Sequence, residues 1–366
     1  MGEKIKNCIF PKAETVTGKI ERSSGIELYR IITMLLIVAH HYVVNSKLNL
    51  PGGPIYGDFT CWQSTFLMLF GAWGKTGINC FVLITGYFMC ESNITWKKFA
   101  KLLLEIYFYR IVLYVVFLIA GHTQFSVKDL PELLLPFTSL ERNFVGCYLV
   151  FYLCIPFLNI LTKNMQEKEY LCFLALLLGI YVIFGSIPKL FLQFNYVGWF
   201  CVLYFIGAYL RKFPKKFLEN TRLWGFVSLG VFAIACLAIV GGIWGFSALG
   251  ISPKPWLFLY ESNKILSVMV AVSSFLFFKN LKLAYSPFIN GVAKTTFGVL
   301  LIHSGSEVMR NWLWEELLHC EAMFNSRWLV AHAICSVLAV FVICSAIDML
   351  RIQFLEKPLF DKWEKK

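Results

Sequence analysis

The sequence predicts an all-α fold, a polytopic membrane helical bundle of about ten transmembrane helices, and three observations carry that reading. Of 366 residues, 58% are hydrophobic and only 15% charged, with a mean hydropathy of +0.65. A water-soluble domain carries about a quarter charged residues and has no core large enough for that much apolar surface. Apolar stretches long enough for a bilayer crossing, which needs roughly 20 residues, recur along the chain. Finally, the Lys and Arg residues gather in short segments between those stretches, as the positive-inside rule distributes them. The net charge of +12 is therefore a topological signal and not a nucleic-acid surface.

Taken in order, residues 1–25 hold Lys4, Lys6, Lys12, Lys19 and Arg22 without the apolar core of a cleaved signal peptide, so this segment is expected to remain in the cytosol. Spans are expected near 26–45, 74–91, 102–121, 143–162, 170–187, 195–211, 223–243, 264–279, 290–306 and 327–350. The eighth and ninth are the weakest, since Ser286-Pro287 separates them and Lys264 and Lys294 sit at or inside their edges. With ten spans both termini share a side, and 23 Lys/Arg fall there against seven opposite, with Lys75, Arg110, Lys264 and Lys294 in or at spans. That bias predicts a multi-pass plasma-membrane protein with both termini cytosolic, a transmembrane domain over 26–350 and a cytosolic tail over 351–366. The outward connections are the longer ones, and two outer segments, Cys61 to Trp73 and Leu130 to Phe137, are apolar but too short to cross. They are expected to lie at the interface or re-enter, roofing a cavity. Most of the 12 cysteines stand inside apolar runs with no pairing framework and are expected to be free thiols.

Ionisable residues inside a span are costly enough to be functional suspects. The first span carries Glu27, Arg30, His40 and His41. At about 100° and 1.5 Å per residue, Arg30 and His41 lie about 20° apart on one face and about 16 Å apart along the axis, while Glu27 lies within about 40° of His41. His40 points about 100° away. An imidazole titrating near pH 6.5 suits removal of a hydroxyl proton, so His41 is the candidate base and His40 the interhelical hydrogen-bonding partner. Thr296, His303 and Arg310 recur at steps of seven and fall near one stripe. His303 either orients an acceptor or satisfies a neighbouring helix. Asn143 and Tyr148, and likewise Asn195 and Tyr196, are polar groups at span starts that would line an outward cavity, with aromatic-belt anchoring as the alternative for the tyrosines. Gly71 to Thr76 contains a GKT but lacks the phosphate-loop glycine and preceding strand. There is no HExxH, no GxSxG and no paired CxxC, so no metal site is expected.

Arg30, ten residues and then His41 in a first span resemble the signature of the acyltransferase-3 family of membrane acyltransferases. Gly77-Ile-Asn-Cys-Phe-Val-Leu-Ile-Thr-Gly-Tyr-Phe88 is similar to that family's aromatic second span, the run from Cys147 to Asn159 to its fourth, and Thr296-Phe-Gly-Val-Leu-Leu-Ile-His303 to a segment near its end. The four stand in family order along most of the chain. The resemblance implies transfer of an acyl group, commonly acetyl, from cytosolic acyl-CoA as co-substrate to a hydroxyl of an extracytoplasmic glycan or glycolipid, with no bound cofactor. It makes His41 the catalytic base, with Glu27 on its face, and Arg30 part of the CoA-facing mouth. Lys97, Lys98, Lys101 and Arg110 are candidates for the CoA phosphates. Lysines replace the arginine-rich pattern of many relatives here, and an ordinary positive-inside loop is the alternative for each. Direct transfer and an acyl-imidazole on His41 are both open. The rival of another class is a transporter or exporter of a polysaccharide, lipid or small amino acid, which would be expected to need helices broken near mid-membrane; the Gly-rich stretches 71–77 and 241–250 are the places to look.

Overall fold

The computed structural model describes residues 23–127, 130–135, 144–188, 190 and 195–364, and among these there is no β-strand. The principal helices are α1 (Ser24–Val44), α2 (Trp62–Phe70), α3 (Gly74–Met89), α4 (Trp96–Ile119), α5 (Phe144–Asn164), α6 (Glu167–Leu178), α7 (Tyr196–Lys212), α8 (Thr221–Val240), α9 (Ile265–Asn280), α10 (Pro287–Ala293), α11 (Thr296–Ser304) and α12 (Leu329–Arg351). Six helical stretches are long and apolar enough to cross a membrane: Ser24–Val44, Trp62–Met89, Trp96–Ile119, Phe144–Asn164, Thr221–Ala248 and Leu329–Lys362. Each of the other four expected spans contains helix, but short or interrupted. The window 170–187 joins α6 to a π-helical turn, Gly179–Phe184. Helices α7 and α9 have 17 and 16 residues. The window 290–306 is two helices, α10 and α11, broken at Lys294–Thr295. Six of the ten expected spans are thus long apolar helical stretches among the described residues, and the other four are shorter or interrupted helix.

Burial explains why short helices persist. Helix α7 is enclosed on most sides, with Trp199, Phe200, Leu203, Tyr204 and Phe205 all buried. Helix α8 buries a single stripe, Val231, Ala235 and Ile239. Much of its remaining surface is apolar and exposed, with Phe226 77% and Leu237 69% accessible. A surface of that kind requires lipid, not water.

Helix α1 sits at the centre, packed on α3, α9, α10, α11, α12 and α2. A glycine stripe allows its contact with the α2–α3 segment. A Cβ on Gly71 would lie 2.7 Å from Val43 and one on Gly77 2.6 Å from Ile37, while one on Gly74 would overlap the His40 ring. Small residues at every third position thus let this segment run antiparallel against α1. Gly86 and Gly207 do the same between α3 and α7, where a Cβ would strike the backbone of Tyr204 or Leu83. The Gly-rich stretch 71–77 is thus a tight turn plus packing stripe, and 241–245 is a π-helical turn ending α8, where Gly242 abuts the Lys254 carbonyl.

The apolar outer segment Cys61 to Trp73 is α2, a helix that leads into α3 and is capped by the Cys61 side chain. Leu130–Leu134 is one short helix, Leu135 N–H donates to the Pro131 carbonyl, and residues 136 and 137 lie outside the described residues. The expected tail beyond Arg351 is helical, through a π-helical turn to Lys357–Glu364. The eleven described cysteines are all free. Lys264, at the edge of α9, is buried and donates to the Gly185 carbonyl, which closes the π-helical end of the α6 stretch.

Candidate active site

The site forms where the carboxyl end of α1 meets α11. His41 occupies the last turn of α1, so it stands near one end of that helix and not at its middle. Its Nδ1 lies 2.8 Å from His303 Nε2, and His303 Nδ1 lies 2.5 Å from the Val299 carbonyl. The hydrogen positions are set by the last partner. A carbonyl only accepts, so His303 carries its proton on Nδ1; with the ring neutral, Nε2 then accepts from His41 Nδ1–H. The lone pair left to His41 is on Nε2. His303 is fully buried, with Trp314 edge-on at 6.5 Å. His40 instead donates Nδ1–H to the Gly71 carbonyl at 2.6 Å and is pressed against Gly74, which makes it the packing histidine of the pair.

His41 opens on a cavity of about 500 Å³ whose walls include His40, Asn45, Lys75, Tyr109, Arg110, Ser304, Glu307 and Arg310. That volume suits a small-molecule reactant. Asn45 stands one turn after His41, and its backbone N–H donates to the His41 carbonyl at 3.0 Å. Its side-chain Nδ2 is buried and has no hydrogen-bond partner among the described residues. Lys75 donates to the Tyr196 hydroxyl at 2.7 Å and faces Glu261 at 3.7 Å. Arg310 donates to the Ser304 carbonyl at 3.2 Å. Burial lowers its pKa, which Glu307 partly offsets, and it stays cationic at neutral pH.

The other sequence candidates are dispersed. Glu27 is buried in the first turn of α1, about 21 Å along the axis from His41, and its Oε2 is 3.8 Å from Arg30 Nε. It shares a face with His41 but is too far away to exchange a proton with it, so it belongs with Arg30. Lys101 pairs with Glu356 at 2.5 Å, Lys98 donates to Ser92 and the Asn93 carbonyl, and Lys97 lies over the Phe360 ring. Arg110, nine residues and about 13 Å further along α4 than Lys101, lines the His41 cavity instead of joining the three lysines. Tyr148 bonds Thr85 at 3.1 Å and stacks on Phe144; the cavity wall is Phe144, one turn nearer the site. Asn143 lies outside the described residues. Asn195 caps α7 by accepting from Gly198 N–H. The stripe from Thr296 to Arg310 is interrupted, because α11 stops at Ser304 and Arg310 stands on the next short helix.

Sequence reasoning passed over a buried ionic cluster behind the cavity. Arg351 donates to Asp348 at 2.6 Å, to Glu105 at 2.9 Å and to Glu356 at 2.8 Å, and Tyr109 donates to Asp348 at 2.7 Å. Asp348 presses on Gly298 of α11, where a Cβ would overlap its carboxyl carbon. The cluster ties α4, α12 and α11 together and so backs both Arg110 and His303. The Asp348–Arg351 spacing on one helix face was the available signal, but Glu105 lies 246 residues away in sequence.

The family described as an acyltransferase domain, of the acyltransferase-3 type, matches residues 23–349, nearly the whole transmembrane region. No curated protein and no solved structure matches the chain. Because the family match covers most of the chain, and the chain has apolar helices long enough to cross a membrane, it belongs to the acyltransferase-3 family and is a membrane acyltransferase.

Proposed function

We propose that the protein transfers an acyl group, acetyl by family expectation, from cytosolic acyl-CoA to a hydroxyl of an extracytoplasmic glycan or glycolipid, with both termini in the cytosol. The single observation that carries the reading is the His41–His303–Val299 chain, which leaves His41 Nε2 as the base beside a ligand-sized cavity. The acceptor's proton passes to Nε2 as its oxygen bonds to the thioester carbon. The tetrahedral intermediate collapses with C–S cleavage, and the leaving sulfur takes the proton back as the CoA thiol. His303 holds the His41 ring in one tautomer and shares the charge of the transient imidazolium. Asn45 Nδ2, buried and without a hydrogen-bond partner among the described residues, is the donor suited to the developing oxyanion. Arg30, with Glu27 beside it, sits about 16 Å along α1 toward the amino-terminal end, where CoA phosphates would enter. Lys97, Lys98 and Lys101 then act as the surrounding positive-inside loop.

The test is release of free CoA from radiolabelled acetyl-CoA by purified protein in proteoliposomes supplied with cell-envelope acceptors. His41→Ala is expected to lower turnover by at least about a hundredfold, the usual scale for a general base. His40→Ala should retain most of it. Turnover unchanged in His41→Ala would overturn the reading and favour export without acyl transfer.

A further inference from the structure

The walls of the cavity beside His41 change character along its length. Helix α11 runs in the direction of α1, because Asn290, just ahead of it, bonds Ser24 at 3.3 Å while His303 reaches His41. Helix α4 runs the same way: Tyr109 bonds the Asp348 that presses on Gly298, and Leu113, one turn later, lies 3.3 Å from where a Cβ on Gly305 would stand. Helix α3 is antiparallel, since Gly74 meets His40 and Gly77 meets Ile37. One turn, about 6 Å, toward the amino end of α1, the polar lining gives way to apolar: His41 to Ile37, Arg110 to Ile106 and Ser304 to Leu300. On α3 the apolar wall is Phe81, about 9 Å beyond Lys75. Helix α5 lies parallel to α3, joined by Thr85 to Tyr148 at 3.1 Å and by Asn159 to the Met89 carbonyl at 3.1 Å. Phe81 and Phe144 each precede the first of these bonds by one turn, so their rings stand at one level and end the apolar section. Tyr109, which also lines this stretch, has its hydroxyl bonded to Asp348.

His41 therefore stands at a boundary, with Asn45 and Ser304 on its polar side and an apolar slot on the other. We propose that the slot receives the aliphatic tail of the transferred acyl group, of about the butyryl size, and that Phe81 and Phe144 set its length. A depth of about 6–9 Å is more than one methyl group fills. The proposal rests on the acyltransferase reading and goes beyond it by naming the acyl class, an uncharged chain longer than acetyl. The pantetheine arm suits the slot less, because its amides would be left without hydrogen-bond partners against apolar walls. The bond changes are those of the transfer itself: the acceptor oxygen bonds to the acyl carbon, the C–S bond breaks, and the thiol leaves with the proton that His41 held.

The experiment compares acetyl-, butyryl-, hexanoyl- and succinyl-CoA, for binding to the full chain in nanodiscs and for CoA release with cell-envelope acceptors. Wild type is expected to bind butyryl-CoA about tenfold more tightly than acetyl-CoA, the effect of burying the added methylenes. It should also favour butyryl over succinyl, which matches it in length but ends in a carboxylate. Phe81→Ala and, separately, Phe144→Ala should raise the hexanoyl-to-butyryl ratio by about tenfold, and Phe144→Leu, which keeps part of the wall, by less. No preference of wild type for butyryl over acetyl overturns the proposal, whatever the variants do. So does a loss in the phenylalanine variants that is equal for every donor, which would give the slot to the pantetheine arm. The binding series repeated in His41→Ala separates the slot from the chemistry. Chain-length preference there, with no transfer by wild type from any donor, would keep the slot and remove the acyltransferase reading. Transfer from every donor without chain-length preference would do the reverse.

Discussion

At the scale of single residues, the site is a chain of three groups, each defined by the next. Val299 C=O fixes the proton on His303 Nδ1, His303 Nε2 fixes the proton on His41 Nδ1, and His41 Nε2 is left basic. His303→Ala removes the acceptor that holds this tautomer and is expected to lower kcat by about 10² or more, with a small change in KM for acyl-CoA. His303→Gln keeps an acceptor oxygen and should recover part of the rate. Equal losses in both would mean that His303 only fills space. Asn45→Ala is expected to cost about 10²–10³ in kcat, the scale of one oxyanion donor. Single-turnover transfer rates check it, and a variant as fast as wild type would leave the orphan Nδ2 without a catalytic role. Asn45 was visible as the i+4 neighbour of His41, but nothing in the sequence says that its amide is buried without a partner among the described residues.

Among the helices, α1 is the axis, and its neighbours approach by giving up side chains. Gly71, Gly74 and Gly77 face Val43, His40 and Ile37. Gly74→Val forces its side chain into the His40 ring and is expected to destabilise the protein by about 1–3 kcal/mol, the usual cost of overpacking. Gly291, whose Cβ would meet nothing within 4 Å, is the control, and a thermal midpoint in detergent compares the two. Equal effects would show that the stripe is incidental. Helix α11 depends on α12 in a different way, through Gly298 against Asp348 and the guanidinium of Arg351. Arg351→Leu leaves the Asp348 carboxylate and its two companions without their shared cation. Breaking a buried pair in this way costs about 3–5 kcal/mol. Pairing Arg351→Leu with Asp348→Asn should recover part of that loss, which the same melting measurement reads; no recovery would remove Asp348 as the main partner.

Over the whole molecule, two asymmetries bear on the proposed function. The first is charge: 23 Lys/Arg on one predicted side against seven on the other. Fluorescent protein fused at Lys366 is expected to fluoresce, and alkaline phosphatase fused after Leu50 to be active, with both termini cytosolic. The reverse pattern would turn the proposed direction of acyl transfer around. The second is length. The six long apolar stretches include α8, whose surface outside one buried stripe faces lipid, while α7, α9, α10 and α11 are short and lie among other helices. A broken helix is tolerated in a membrane where neighbouring protein satisfies its free backbone groups. That is why the hydropathy of 290–306 resembles a span, although the chain there turns at Lys294–Thr295 and delivers His303 to His41.

The sequence by itself determined the features set by local composition and period: an all-helical membrane chain, the centres of its apolar segments, the shared face of Arg30 and His41, and the motifs that place it in its family. These depend on residues within one or two helical turns of each other, or on composition, and so are written along the chain. Tertiary structure alone decided which polar groups meet. His41 and His303 are 262 residues apart, and Glu105 and Arg351 are 246 apart. Glu27, on the same face as His41, is separated from it by about 21 Å of rigid helix. Lys101 has the same charge as Arg110, yet one pairs with Glu356 while the other lines the cavity. Periodicity fixes the angle around one helix axis, but a site is made by distances between axes, and those are set by which side chains are small enough to let helices touch.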